Sequence, residues 1–160
     1  MSWPEPVERV AGVLRQAGAE ARIEEFPEGT PTAEDAAQAV GCKLSQIVKS
    51  LVFDCDGRWA LVMVPGDLRA DRAKVAAAAG ARRAQVAGAD QVEEITGFPP
   101  GGVAPFPLPK VELAFVDSRL LGHERVWVGA GSSNHLLGLS PGELVRLSRA
   151  EPRNLSGDPR

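Results

Sequence analysis

The stretch "QIVKSLVFDCDGRWALVMVPGD" (residues 46–67) holds two runs rich in β-branched and aliphatic residues on either side of "DCDG". An Asp-Gly step between such runs is a strong hairpin signal, because the tight turns that suit twisted strands need positive φ, which Gly and Asp tolerate. The stretch therefore predicts an antiparallel pair of strands that turns at Asp56 and Gly57. Lys49 interrupts the first run, between Ile47-Val48 and Ser50-Leu51-Val52-Phe53. An ammonium group placed among apolar neighbours is costly unless polar or anionic groups meet it. That cost marks Lys49 as a candidate for chemistry.

Upstream of the hairpin, Val7, Val10, Val13, Leu14 and Ala17 fall at helical spacing, with Gly18 as a stop. "ARIEEF" (21–26) reads as a short strand. Thr32, with Asp35 three residues on, approximates a capping box for a helix from Ala33 to Gly41. Ser45 is expected to cap one further turn through Val48, so that Lys49 lies where a helical turn hands over to a strand. Downstream, "RADRAKVAAAAG" (69–80) reads as a helix, "ARRAQVA" (81–87) as a strand and "ADQVEEITG" (89–97) as a short helix capped by Asp90. A Pro/Gly loop, "FPPGGVAPFPLPK" (98–110), precedes three strands, "VELAFVD", "RVWVGAG" and "HLLGLS". Ser140, Pro141 and Glu143 form the start of a last helix. Hairpins mixed with helices favour an α+β fold with a mixed or mainly antiparallel, barrel-like sheet. We expect one compact domain over residues 1–148 and a polar, flexible tail over 149–160.

Several function classes are excluded or disfavoured by composition. With 160 residues and 44% hydrophobic content, the chain can build one real core. No apolar run approaches the roughly 18 residues of a membrane helix, and the N-terminus has no basic-then-apolar leader pattern. A cytoplasmic protein with two free thiols, Cys42 and Cys55, is the expectation. The net charge of -3 argues against a protein that wraps nucleic acid, though not against one that grips a strand end. There are 14 Arg and only 4 Lys, which makes each lysine position more informative.

Common catalytic signatures are missing. "GAGSSN" (129–134) has a Gly-x-Gly, but a strand follows where a dinucleotide site needs a helix. No Walker lysine, HExxH, paired CxxC or Gly-x-Ser-x-Gly elbow occurs, and two histidines, His123 and His135, are too few for a metal cluster. Three points stand out instead: Lys49, "GGVAP" (101–105) and "GAGSSNH" (129–135). Glycines allow close backbone approach and expose N–H donors suited to a phosphate or an oxyanion. A snorkelling lysine, an ordinary loop and a structural histidine are the plainer readings of the same residues.

In this order, "QIVKSLVF", "TGFPPGGVAPF" and "VWVGAGSSNHLLGLSP", closing on "ELVRL", resemble the YbaK/EbsC family over roughly Val7 to Leu147. This is the family of the editing domain of bacterial prolyl-tRNA synthetases and its free-standing relatives. The resemblance implies a barrel-like α+β domain that hydrolyses, in trans, the ester of a mischarged aminoacyl-tRNA, with a small amino acid (Ala, Cys or Ser) on tRNA(Pro) or a related tRNA. It implies no cofactor and no metal. The implied partners are the aminoacyl-tRNA acceptor end and an aminoacyl-tRNA synthetase, with no membrane. It further implies Lys49 as the catalytic strand lysine. The implied substrate-binding residues are Gly101, Gly102, Pro105, Gly129, Gly131, Ser132, Asn134 and His135, with Phe26 as a further pocket residue. Leu136 stands where some cysteine-editing relatives carry an acid, and Phe106 and Pro107 follow the loop with added bulk. The alternative is a non-catalytic module on the same fold that binds a tRNA end, a nucleotide or a protein. Arg69, Arg72, Lys74, Arg82 and Arg83 form the best basic cluster, offset by Asp67 and Asp71; it reads either as a solvated helix face or as a phosphate contact.

Overall fold

A computed structural model describes residues 3–159. The chain runs α1 (Glu5–Ala17), β1 (Ala21–Glu25), α2 (Ala33–Val40), β2 (Ile47–Cys55), β3 (Arg58–Pro65), β4 (Leu68–Ala70), α3 (Arg72–Ala79), β5 (Ala84–Val86), α4 (Ala89–Thr96), β6 (Leu113–Asp117), β7 (Val126–Gly129), β8 (His135–Leu139), α5 (Pro141–Ser148), β9 (Glu151–Arg153) and β10 (Ser156–Pro159).

The predicted hairpin is the centre of the molecule. β2 and β3 pair antiparallel with Cys55 opposite Arg58, so Asp56 and Gly57 alone make the turn, at φ of 53° and 90°. Asp54 steadies it by accepting the Gly57 N–H at 2.8 Å. Around this pair the large sheet has the order β1-β8-β7-β2-β3-β6-β9, with β5 also paired to β2. The β2–β7, β3–β6 and β6–β9 pairings are parallel and the others antiparallel, so the sheet is mixed. β4 pairs with β10 in a separate two-stranded sheet.

Strand alternation sorts the core into faces. Val48, Leu61, Met63, Val116, Val128 and Leu137 pack with α1 residues Val10 and Leu14, with Phe98, and with Leu144 of α5. On the other face, Phe53, Cys55, Val62, Val64 and Phe115 pack under Val75, Ala76 and Ala79 of α3. A third cluster joins Ile47, Ala36, Ala37, Trp127 and Leu136. Lys49 has the parity of Ile47, Leu51 and Phe53, so it occupies the gap between the second and third clusters.

Three local expectations are corrected. Ser45 lies inside a 3-10 turn, Leu44–Gln46, and the strand already begins at Ile47, so Lys49 is its third residue. Asp90 stands in the first turn of α4, and Gly88 holds the N-cap position, its N–H donating to Gln91 at 3.1 Å. The polar segment after Ser148 is built into the fold: β9 pairs with β6, and β10 with β4. Its anchor is Asp117, which is fully buried and accepts the N–H groups of Leu155 and Ser156 and the Ser156 hydroxyl, at 3.1, 3.0 and 2.6 Å. Burying Leu155 beside it adds about 1.5–3 kcal/mol.

Candidate active site

A cavity of about 240 Å³ opens where β2, the start of α2 and the Pro/Gly loop meet. Lys49, Gly101, Val103 and Gly129 border it, so each of the three points singled out in the sequence reaches one place. Ala33, Ala36, Ile47, Leu51 and Leu136 give it an apolar wall, and Thr30, Thr32 and Ser50 add hydroxyls.

Lys49 is half-buried, and its Nζ donates to the carbonyl of Leu68, the first residue of β4. That bond crosses from the large sheet to the small one and fixes where the ammonium sits. The opening anomaly in the sequence is thereby accounted for: a backbone carbonyl meets the charge, and a cavity adjoins it. Among the described residues, the buried Oγ of Ser50, also at the cavity, meets no hydrogen-bond partner.

The glycines divide by function. A Cβ on Gly102 would lie 2.5–2.6 Å from the backbone of Ser132, and one on Gly129 would lie 2.7 Å from the Val103 oxygen. Gly129 lets the Pro/Gly loop lie directly on the end of β7, and Gly102 lets it lie on the connection from β7 to β8. Gly131, at φ 108°, passes close to the backbone of Pro6 at the head of α1, where a Cβ would lie 2.9 Å away. The N–H of Gly102 is bonded to Pro99 and that of Gly131 to Gly102, each at 2.8 Å, so these two donors are engaged within the protein. Gly101 differs. Its Cα faces space, with the Ser133 Cβ 3.8 Å from a hypothetical side chain, and its N–H lies in the first turn of a 3-10 helix, Pro100–Gly102. A first-turn N–H has no acceptor within its helix. The Gly101 N–H thus has no acceptor within its own turn and lies at the edge of the cavity.

The other residues expected at the site stand behind it. His135 is buried; its Nδ1 lies 2.6 Å from the Ser132 hydroxyl, its Nε2 lies 3.5 Å from a Glu25 carboxylate oxygen, and Trp3 packs edge-on to the ring. The Asn134 amide donates to the carbonyls of Phe26 and Pro27 at 3.0 and 3.2 Å, and the Ser133 carbonyl accepts the N–H of Thr30 at 2.8 Å. Together they clamp residues 26–30, which lead into the cavity wall. Phe26 packs against the cluster of Ala36, Ile47 and Leu136 rather than bordering the cavity. Pro105 lines a different cavity, with Phe106 and Leu147. Sequence reasoning did not single out Thr30 and Thr32 as site residues; the signal was the "TPTAED" cap, since Thr32 both accepts the Asp35 N–H at 3.0 Å and borders the cavity.

The structure is an α+β domain with a strand lysine beside a small, glycine-edged pocket. Residues 27–147 match the aminoacyl-tRNA editing domain, and the chain belongs to that family. It is 34% identical over 127 residues to the uncharacterized protein YwhH of Bacillus subtilis, covering 79% of this chain and 80% of that one. It is 32% identical over 123 residues to a proline–tRNA ligase of Bacillus licheniformis, covering 74% of this chain but only 22% of the ligase. A solved structure of a candidate trans-editing enzyme for prolyl-tRNA synthetase superposes with a TM-score of 0.90 at 36% identity, covering 98% of this chain and all of that one. Among the described residues no helix is long and apolar enough to cross a membrane.

Proposed function

We propose that this chain is an aminoacyl-tRNA deacylase that acts in trans, hydrolysing the ester between a small, wrongly attached amino acid and the terminal ribose of tRNA(Pro) or a related tRNA. The observation that carries the reading is the convergence of Lys49, Gly101 and Gly129 on one small cavity with an apolar wall. The Lys49 ammonium, held by Leu68, lies beside the phosphate-bearing end and orients it. Water attacks the ester carbonyl carbon, and the Gly101 N–H donates to the oxyanion that forms. The carbon–oxygen bond to the ribose then breaks, the ribose oxygen takes a proton, and the free amino acid leaves. No side chain of the cavity is a general base at neutral pH, so a neighbouring ribose hydroxyl of the substrate is assigned to activating the water.

The side chain of the amino acid faces Ala36, Ile47 and Leu136. A cavity of about 240 Å³ that must also admit the ester excludes large side chains by size, the more effective direction of discrimination. Leu136 and its apolar neighbours suit an alanine methyl, and the hydroxyls of Thr30, Thr32 and Ser50 border the same cavity. The synthetase served is one that charges tRNA with proline, in line with the relatives above.

The test is a deacylation panel: tRNA(Pro) and other tRNAs charged with alanine, cysteine, serine or threonine, with the wild-type protein and Lys49→Ala. Rapid release from alanyl-tRNA(Pro), reduced about 100-fold or more in the variant, is the expected result. Release from no pair by a folded wild-type protein would leave the domain a binding module and end the hydrolase reading.

A further inference from the structure

The basic cluster is only partly absorbed by the site. Lys74 donates to the Ser156 carbonyl and to Asn154, and so serves the C-terminal segment. Arg72, Arg82 and Arg83 do not. They line one cleft of about 200 Å³ between α3 and β5, and all three are exposed. Among the described residues none of them joins an ion pair. Asp56, the acid that faces this loop, directs its carboxylate to the main-chain N–H groups of Arg82 and Arg83 at 2.7 and 3.2 Å. Its effect is to fix the backbone that presents the two guanidinium groups. A chain with net charge -3 thus carries a preset trio of arginines on one edge, and such segregated charge creates a local field for an anionic partner.

Position relative to the cavity identifies the partner. α3 covers the face of β2 that carries Phe53 and Cys55, which is also the face of Lys49. β5 pairs with the far end of β2, Ala84 opposite Cys55, six residues beyond Lys49. At about 3.3 Å per residue, the end of β2 that β5 joins lies roughly 20 Å along the strand from Lys49. With about 3.4 Å per phosphate along a stacked strand, that span is about six nucleotides. It reaches past the unpaired end of a tRNA onto the first base pairs of its acceptor stem. Guanidinium groups suit this target because they bind phosphate oxygens in a bidentate fork.

We propose that Arg72, Arg82 and Arg83 form a second contact on the substrate, gripping acceptor-stem phosphates while the ester sits beside Lys49. The inference rests on the deacylase reading for its partner, and its test separates the two. Uncharged tRNA binding is measured across a salt titration for the wild-type protein, Arg82→Ala/Arg83→Ala and Arg82→Lys/Arg83→Lys. Both alanine substitutions keep the N–H groups that Asp56 accepts, and melting curves check that the variants fold. The double alanine variant is expected to bind on the order of 10–100-fold more weakly at low salt, with a log–log salt slope shallower by about 1.5–2. The double lysine variant is expected to restore most of that slope. Cleavage of a charged CCA trinucleotide, too short to reach the cleft, is expected to be equal in all three proteins.

An unchanged slope and affinity in the double alanine variant overturns the proposal, as does a wild-type protein that binds no tRNA. Unchanged tRNA binding with lost stimulation by a synthetase would reassign the cleft to a protein partner and likewise overturn it. If tRNA binding depends on the arginines but no ester is cleaved, the contact stands and the hydrolase reading falls.

Discussion

Gly101 and Gly102 are neighbours in one loop, and the same substitution at each should give opposite results. A Cβ at Gly102 would sit 2.5–2.6 Å from the Cα, C and N of Ser132. Comfortable carbon contacts lie at about 3.5–4.0 Å, so the two backbones must part by about 1 Å. Neither side can yield by turning a rotamer, because the atoms met are main chain. The separation also stretches the 2.8 Å bond from the Gly131 N–H to the Gly102 carbonyl. Overpacking of this kind costs about 1–3 kcal/mol and the lost buried hydrogen bond about 1 kcal/mol more. Gly102→Ala is therefore expected to lose about 2–4 kcal/mol, which for a chain of this size lowers Tm by about 5–15 °C. At Gly101 the first heavy atom a Cβ meets is 3.8 Å away and φ is unexceptional, so Gly101→Ala is expected to melt within about 1–2 °C of wild type. Its effect falls on the cavity, where the added methyl narrows the approach to the N–H. Urea titrations and thermal melts of both variants, with the deacylation assay, make the comparison. Equal stability of the two variants would refute the close-approach argument, and full activity in Gly101→Ala would refute the placing of the carbonyl at that N–H.

Two further outcomes are expected. Burial pushes the Asp117 carboxyl up, but the Ser156 hydroxyl, the N–H groups of Arg119 and Leu155 and the Arg119 charge outweigh it, holding it below the usual carboxylate range. The fold therefore favours the ionised form, which contributes stability above the unfolded value of about 4 and loses it as pH falls through the lower folded value. Asp117→Asn should cost about 2–4 kcal/mol at neutral pH and flatten the stability profile below pH ~4; a parallel wild-type profile would count against the anchor. His135→Ala removes a buried ring and strips the Ser132 hydroxyl of its 2.6 Å partner, so a loss of about 2–4 kcal/mol by urea unfolding is expected. A loss below about 1 kcal/mol would mean that the clamp on residues 26–30 does not depend on the histidine.

What could be read from the sequence was what local chemistry decides. "DCDG" named the turn because two positive-φ positions leave little choice of residue, and Thr32, Ser140, Gly18 and Gly41 marked helix ends by their capping roles. Lys49 was visible as a charge that its apolar neighbours could not explain. The rest depends on contacts far apart in the chain. β4, β9 and β10 are three or four residues long, too short to show periodicity, and they exist because partners elsewhere accept their backbones. Asp117 looked like a strand-end acid, and only the arrival of Leu155 and Ser156 makes it an anchor. The glycine-rich segments were read together as ligand contacts; spacing does not reveal that Gly102 and Gly131 serve backbone crossings, that Gly101 edges the cavity, and that Gly129 does both.

The C-terminal strand has a consequence for where this domain can be cut. β4 is held in a sheet by β10, with Ser156 opposite Ala70, and the Asp71 N–H donates to the Leu155 carbonyl at 2.8 Å. The Leu68 carbonyl that receives Lys49 belongs to that same strand. The family match stops at residue 147, so the brace for its lysine lies outside the matched segment. A protease that clips the chain after Ser148 would remove the strand that pairs with β4, and with it one support of the carbonyl that Lys49 meets. Grafting residues 27–147 alone into another protein would transplant the pocket without the strand that pairs with β4. The working unit is set by the reach of Asp117, not by the limits of the recognisable sequence.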